Sequence, residues 1–250
     1  MNNNILYIVS EDWYFLSHRL SLAIEAKKKG YKVNVLCKDT GKINIIKSYG
    51  FNCYQLNSDR KNISIINLFK EILNIRLLIK KLKPNIIHLV ALRPIILGLA
   101  STFFNKKISI VVSITGLGSI FLSRHLITRI IKFITIFFLF LNFKKDNIKI
   151  IVQNKDDYNF VINTLHCKKK NIFLIRGSGV NIHHFSFQKE PLSTPIVLTY
   201  VGRLIKDKGI EVLINSFESL DNYDNKLQLI LAGEIDYANP SAISQEYLNK

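Results

Sequence analysis

The chain has 250 residues, 48% hydrophobic and 21% charged, and a formal net charge of +17. That balance implies packed cores and excludes a disordered chain, and the length suits one large domain or two smaller ones. The charge is uneven: residues 1–190 carry 30 Lys+Arg against 10 Asp+Glu, and residues 191–250 carry 5 against 8. A basic first part is suited to a polyanion or an anionic membrane; biased codon usage with a solvated surface is the plain alternative. Cys37, Cys53 and Cys167 are odd in number and far apart. They read neither as a disulfide framework nor as a zinc site, and they fit a reducing compartment. The first residues show no basic n-region and no cleavage site, so a cytoplasmic protein is expected. The most lipophilic run, 133–143, has 11 uncharged residues between Lys132 and Lys144-Lys145, whereas a membrane span needs about 20.

In chain order, 5–9 is a short apolar strand and 15–29 has helical spacing closed by Gly30. A strand at 33–37, a helix at 43–49 and a strand at 53–56 follow. Residues 65–82 repeat apolar side chains at helical spacing and stop before Pro84. Then come a strand at 86–90, a helix at 94–104 opened by Pro94, a strand at 108–114, one or two helices over 124–143, a strand at 148–152, a helix at 155–165 and a strand at 172–175. Apolar strands alternating with helices imply a parallel sheet covered on both faces. After Pro191 and Pro195 the pattern restarts with a strand (196–201), a helix (209–220), a strand (227–232) and a helix-like start at Ser244. The expected organisation is a Rossmann-like α/β domain over 1–190, with a linker near 177–195, and the beginning of a second such domain over 191–250. So short a parallel unit is a poor candidate for folding alone.

The most informative segment is Gly202-Arg203-Leu204-Ile205-Lys206-Asp207-Lys208-Gly209, between a strand and a helix. There, backbone N–H groups and a helix dipole suit an anion, Arg203 can grip a phosphate pair and Lys208 adds a point charge. An ordinary basic loop is the alternative. At the end of the first strand stand Glu11, Asp12, His18 and Arg19, where ligands of open α/β sheets bind. Asp12 reads either as a base toward an acceptor hydroxyl or as a helix N-cap. His18, one turn into the helix, reads as structural or acceptor-side, and Arg19 suits a phosphate. His88 is expected to end the fourth strand and point to the same edge. Arg93 faces either an acceptor phosphate or solvent. Residues 124–145, bulky, aromatic and flanked by cations, read as a helix in a membrane interface or as a buried helix.

The segment 202–209 resembles the G-R-x-x-x-x-K-G signature of GT-B glycosyltransferases of the retaining family 4 type. Residues 12–19 resemble the first loop of the subgroup acting on polyprenyl-diphosphate carriers. Pro84–His88 resembles the family's P-D-x-x-H strand, Thr115–Gly118 its H-G-L-G loop, and Gly177–Asn181 with Phe185 its G-V-D-x-x-x-F turn. These five matches, in order, cover nearly the whole chain. The resemblance implies two Rossmann-like domains, with the acceptor mainly on the first and the nucleotide sugar mainly on the second. It also implies metal-independent transfer without a cofactor.

On this resemblance, Arg203 and Lys208 would bind the donor diphosphate and stabilise charge as it leaves. Gly116 and Gly118 would allow close backbone approach, and Gly202, Gly233 and Glu234 would line the nucleotide-sugar side. Partners would be a UDP-sugar, a polyprenyl-diphosphate-linked glycan and an anionic membrane, with the protein peripheral on the inner face of the cell membrane. The sequence departs from the family pattern at Thr115, where a His is common, and at Asn85 and Asn181, where Asp is usual. The family's Glu-x₇-Glu segment would lie beyond residue 250, so the expectation is a chain that stops before its second domain is complete and works poorly without a C-terminal half. The alternatives are a non-catalytic or split half and a sugar-nucleotide epimerase of the same fold. A nicotinamide fingerprint fails: Phe121 stands where Gly116-x-Gly118 needs its third glycine, and the motif follows the fifth strand. Nucleic-acid binding is not expected, for lack of interleaved exposed aromatics and lysines.

Overall fold

The computed structural model describes residues 3–56, 64–105, 107–116, 126–177, 179–183, 185–190, 195–220, 226–235, 237 and 241–248. The chain forms two compact units, Met1–Val180 and Asn181–Lys250. The division at 180/181 comes ten residues before the expected boundary at 190/191.

The first unit alternates β1 (Asn4–Glu11), α1 (Asp12–His18), α2 (Leu20–Lys28), β2 (Lys32–Lys38), α3 (Ile43–Ser48), β3 (Asn52–Gln55), α4 (Ile65–Leu82), β4 (Ile86–Val90), α5 (Leu92–Ser101), β5 (Ser109–Ile114), α6 (Leu126–Phe143), β6 (Ile148–Val152), α7 (Lys155–Asn163) and β7 (Ile172–Leu174). The strands form one parallel sheet in the order β3-β2-β1-β4-β5-β6-β7. The order reverses between β1 and β4, which opens a crevice at their carboxyl ends.

Side chains alternate across each strand, so β1 feeds two cores. Leu6 and Ile8 join Ile87, Leu89, Ile110 and Val112 under α4–α7, where Ile75, Ile79, Leu97, Leu139 and Phe143 cover them. Tyr7 and Val9 join Val33, Val35 and Val90 under α1–α3, against Phe15, Ala23 and Ile46. Gly98 sets the approach of α5 to the sheet: a Cβ there would lie 2.2 Å from Leu89 Cδ2. At the amino edge, asparagines join neighbouring strands. Asn85 Oδ1 accepts from Asn4 N (2.9 Å), and Asn52 donates to the buried Asn34 (3.1 Å). Asn85, where the family pattern has Asp, thus needs only an amide oxygen for this contact.

The helix expected over 15–29 is broken into α1 and α2 at Arg19 (φ −130°, ψ −10°). The flanking bonds Arg19 N to Phe15 O and Ala23 N to Arg19 O persist. Apolar periodicity therefore continues through the break and hides it in the sequence. The second unit contains β8 (Ile196–Val201), a 3-10 turn (Lys206–Lys208), α8 (Ile210–Glu218), β9 (Leu227–Ala232) and α9 (Gln245–Leu248). Strands β8 and β9 are parallel, and a small core gathers Leu204, Ile210 and Ile243.

Candidate functional site

In the first unit a buried polar file crosses the middle of β1 and β4 to Ser113 near the end of β5. Tyr7 pairs with His88 across β1 and β4. His88 pairs with Val111, so Ser113 lies on the same face two residues further along β5. His88 Nε2 meets Ser113 Oγ at 2.8 Å, and its ring tilts over Tyr7 at 5.3 Å. Burial, and secondarily the charge of Arg19, push the His88 imidazole down to about 3. It is therefore neutral at physiological pH. His88 sits in the middle of β4, not at its end as expected, and its charge state excludes a role as a cation there.

Arg19 projects from the α1–α2 break onto this file and is only 8% exposed. Its Nη1 donates to the His18 carbonyl (2.8 Å), while its buried Nε has no hydrogen-bond partner. Among the described residues no carboxylate pairs with it. Burial lowers its pKa, against the opposing pull of Tyr14 and Tyr7, and burial lifts Tyr7 to about 12. A buried guanidinium without an anion costs several kcal/mol, on the order of the penalty for any unpaired buried ion. The Nε of Arg19 is thus a buried donor without a hydrogen-bond partner among the described residues.

Asp12 does something other than either expected role. Its carboxylate accepts from Thr40 N (2.8 Å), Lys42 N (2.8 Å), Trp13 N (2.7 Å) and Thr40 Oγ1. Burial pushes the carboxyl up, but these hydrogen bonds outweigh burial and hold its pKa below the usual aspartate value. A saturated, acidified carboxylate is a weak base, and the helix N-cap is Glu11, without a side-chain cap bond. Asp12 therefore anchors loop 39–42 beside the site. His18 is exposed, stacked on Tyr14 (4.4 Å) with Nδ1 2.6 Å from Ser17 Oγ.

Arg93 is committed elsewhere. Its Nη2 donates to both oxygens of the buried Glu71 (2.8 and 3.0 Å), tying α5 to α4. This ion pair replaces both expected readings, acceptor contact and free surface arginine. Ala91, immediately before α5, has φ 73° and ψ 157°, a region that is essentially glycine-only and costs about 1–3 kcal/mol. Gly116 follows β5 with φ 122°, while Gly118 and Phe121 lie outside the described residues.

In the second unit, loop 202–209 presents charge through its side chains rather than its amides. Most of its N–H groups are already bonded: Gly202 to Ala232 O, Leu204 to Glu234 O, Ile205 to Arg203 O, Lys206 to Ser241 O, Lys208 to Ile205 O and Gly209 to Lys206 O. The expected cradle of free loop amides is therefore not formed. What remains is the uncapped start of α8 behind Gly209 (φ 75°), together with the exposed side chains of Arg203 and Lys208. Gly202 and Gly233 appose the loops that follow β8 and β9, since a Cβ on Gly233 would meet Gly202 O at 1.8 Å. Glu234 and Gly233 line a cleft of about 580 Å3 with Leu204, Leu231, Ile235 and Tyr237. Asn181 Oδ1 accepts from His183 N (3.0 Å), a turn contact that asparagine makes as well as aspartate.

Residues 4–154 match the family model described as glycosyl transferase 4-like, and residues 182–250 match glycosyl transferases group 1. The chain belongs to the glycosyl transferase 4-like family. This glycosyltransferase-family chain is 22% identical over 240 residues to CapM, a capsular polysaccharide biosynthesis glycosyltransferase of Staphylococcus aureus. The match covers 89% of the chain and 59% of CapM, so the chain spans less than two thirds of that relative. Its fold is similar to sucrose-phosphate synthase of Thermosynechococcus elongatus, with TM-score 0.70, 16% identity, and 99% of this chain and 66% of that one covered. It is also similar to Anabaena HepE, crystallised with UDP and glucose, with TM-score 0.67, 12% identity, and 98% and 63% covered. A putative UDP-N-acetylglucosamine 2-epimerase of Listeria monocytogenes shares the fold, with TM-score 0.63, 10% identity, and 95% and 64% covered. The GT-B-like fold read from the sequence is thereby established. Among the described residues no helix is long and apolar enough to cross a membrane, and no cluster of His, Cys, Asp and Glu could hold a metal.

Of the residues expected at the site, the first unit brings together Arg19 and His88, and the second brings together Gly202, Gly233 and Glu234. Tyr7 and Ser113 complete the first group. In the sequence each shows only as a polar side chain inside an apolar strand, and the strand register sets it beside His88.

Proposed function

We propose that this protein transfers a hexose or N-acetylhexosamine from a UDP-sugar to a polyprenyl-diphosphate-linked glycan, with retained anomeric configuration, in surface polysaccharide or glycan synthesis. The observation that carries the reading is Arg19, a buried guanidinium without an anionic partner at the carboxyl edge of the acceptor-side sheet. A lipid-linked diphosphate supplies the missing anion. Neutral His88 contributes hydrogen bonding without adding a second positive charge. On the nucleotide side, Arg203 and Lys208 hold the donor diphosphate and oppose the charge that develops as it departs. No metal or cofactor enters this reading. The protein works at the inner face of the cell membrane, with the apolar, cation-flanked α6 in the interface.

The CapM relationship and the match of both halves to glycosyltransferase models support transfer over the alternatives. The test is UDP release from a panel of UDP-sugars, with and without a polyprenyl-diphosphate glycan, by protein purified at its native length. Acceptor-dependent release that Arg203→Ala lowers about tenfold or more, equivalent to ~1.4 kcal/mol, supports the proposal. Interconversion of the sugar without acceptor would assign an epimerase. Activity only after adding a second polypeptide would assign a split enzyme.

A further inference from the structure

Helices α4 and α6 flank α5 on one face of the sheet, and α5 packs against both. Each is apolar on two faces. On α4, Ile75 and Ile79 enter the core, while Ile66, Phe69, Leu73 and Leu77, at intervals of three and four, are 54–66% exposed. On α6, Leu139 and Phe143 enter the core, while Ile130, Phe133, Ile134, Phe137 and Leu141 are 43–71% exposed. Residues three and four apart share a helix face, so both stripes point away from the sheet. A soluble surface rarely exposes so continuous an apolar area without using it.

The charges on the two helices around the stripes are predominantly positive, and the exposed Asp146 past the end of α6 is itself paired with Lys168 and Lys170. The acid of these two helices, Glu71, is buried and bonded to Arg93. Lys70, Arg76, Lys80 and Lys81 bracket the α4 stripe, Arg129 stands on α6 and Lys144 follows its last residue. Between α4 and the end of α5 lies a groove of about 410 Å3, in which Arg76, Lys80 and Lys107 converge beside Thr102 and the exposed Phe104.

We infer that α4 joins α6 in a two-helix face that docks on an anionic bilayer, with the Arg76–Lys80–Lys107 groove receiving a lipid phosphate. Apolar side chains enter the acyl boundary while the flanking cations meet the headgroups. Two helices on one sheet face fix the orientation of the sheet, which a single interfacial helix leaves free to rotate. The inference adds α4 and the groove to the membrane reading of α6, and its test needs neither nucleotide sugar nor acceptor, so either can fail alone.

The experiment is sedimentation of the full chain with vesicles of phosphatidylcholine alone or with about 30% phosphatidylglycerol, the anionic lipid that recruits basic surfaces. Leu73→Glu/Leu77→Glu changes exposed side chains, and circular dichroism checks its fold. The wild type is expected to sediment with the anionic vesicles, and this double variant to bind about tenfold more weakly or worse. The triple change of Arg76, Lys80 and Lys107 to Ser is expected to abolish the preference for anionic lipid. Unchanged binding of the α4 variant would overturn the inference. So would a solution dimer, seen by light scattering, that the same variant dissociates, since the face would then belong to a second copy.

Discussion

Replacing Arg19 with methionine separates a binding arginine from a structural one. The side chain is 8% exposed, its Nε has no partner, and its one bond recorded among the described residues goes to the His18 carbonyl. A charged hydrogen bond is worth about 1.5–3 kcal/mol, whereas an unpaired buried ion costs several kcal/mol, more than that one bond returns. The expected net gain for the unliganded protein is about 1–2 kcal/mol, or ~2–8 °C in melting temperature for a unit of this size. The same change should lower turnover with a diphosphate-linked acceptor about tenfold to hundredfold, since a lost charge-assisted contact is worth ~1.4–2.8 kcal/mol. The assay is urea unfolding followed by the single tryptophan, Trp13, which lies within α1 beside the site. It is paired with acceptor kinetics. Arg19→Met that unfolds more easily by over about 1 kcal/mol while acceptor kinetics stay unchanged would refute the reasoning and make Arg19 a structural residue.

Four further outcomes follow from the same geometry. The His88 pKa is depressed to about 3 in the folded state, so its contribution to stability is fully present above about pH 6.5 and is lost as pH falls toward 3. Stability should drop by about 2 kcal/mol between pH 6.5 and 5 from this group alone, and His88→Gln should flatten that slope in chemical denaturation. Asp12→Ala strips the acceptor from Thr40, Lys42 and Trp13; it should cost about 2–4 kcal/mol and speed proteolysis within loop 39–42. Ala91→Gly relieves the positive φ at the start of α5 and should raise stability by about 1 kcal/mol after glycine's own entropy cost, read by thermal melting. Gly233→Ala forces apart the loops after β8 and β9 and should weaken UDP-sugar binding with a loss of about 1–3 kcal/mol in stability, read by calorimetry and melting. Unchanged values in any of these would remove the residue concerned from its assigned role.

The order of strands and helices was legible because β-branched runs and helical spacing alternate cleanly, as in 86–90 and 65–82. The Arg19 break was not, because the bonds on either side of it keep the helical period. The Tyr7–His88–Ser113 file draws one residue from each of three strands, and only the pairing register places them together. The chemistry of Asp12 and Arg93 is legible, whereas their partners, Thr40 and Glu71, lie 28 and 22 residues away. The exposed stripe of α4 was hidden for a different reason: apolar side chains occupy opposite faces of the helix, and periodicity does not say which face meets the sheet. The loop signature at 202–209 was legible as charge, but its amides are spent on contacts with residues 232, 234 and 241.

The most direct measurement follows the sugar itself. Protein at its native length is incubated with a labelled UDP-sugar and a polyprenyl-diphosphate glycan in anionic vesicles. The organic-extractable product is then counted, and its anomeric configuration is determined by NMR. The account expects label in the lipid fraction with the donor's configuration retained and with strong dependence on Arg19 and Arg203. Label that stays in the aqueous phase, or that enters the lipid fraction equally well with Arg19→Met and Arg203→Ala, would contradict it.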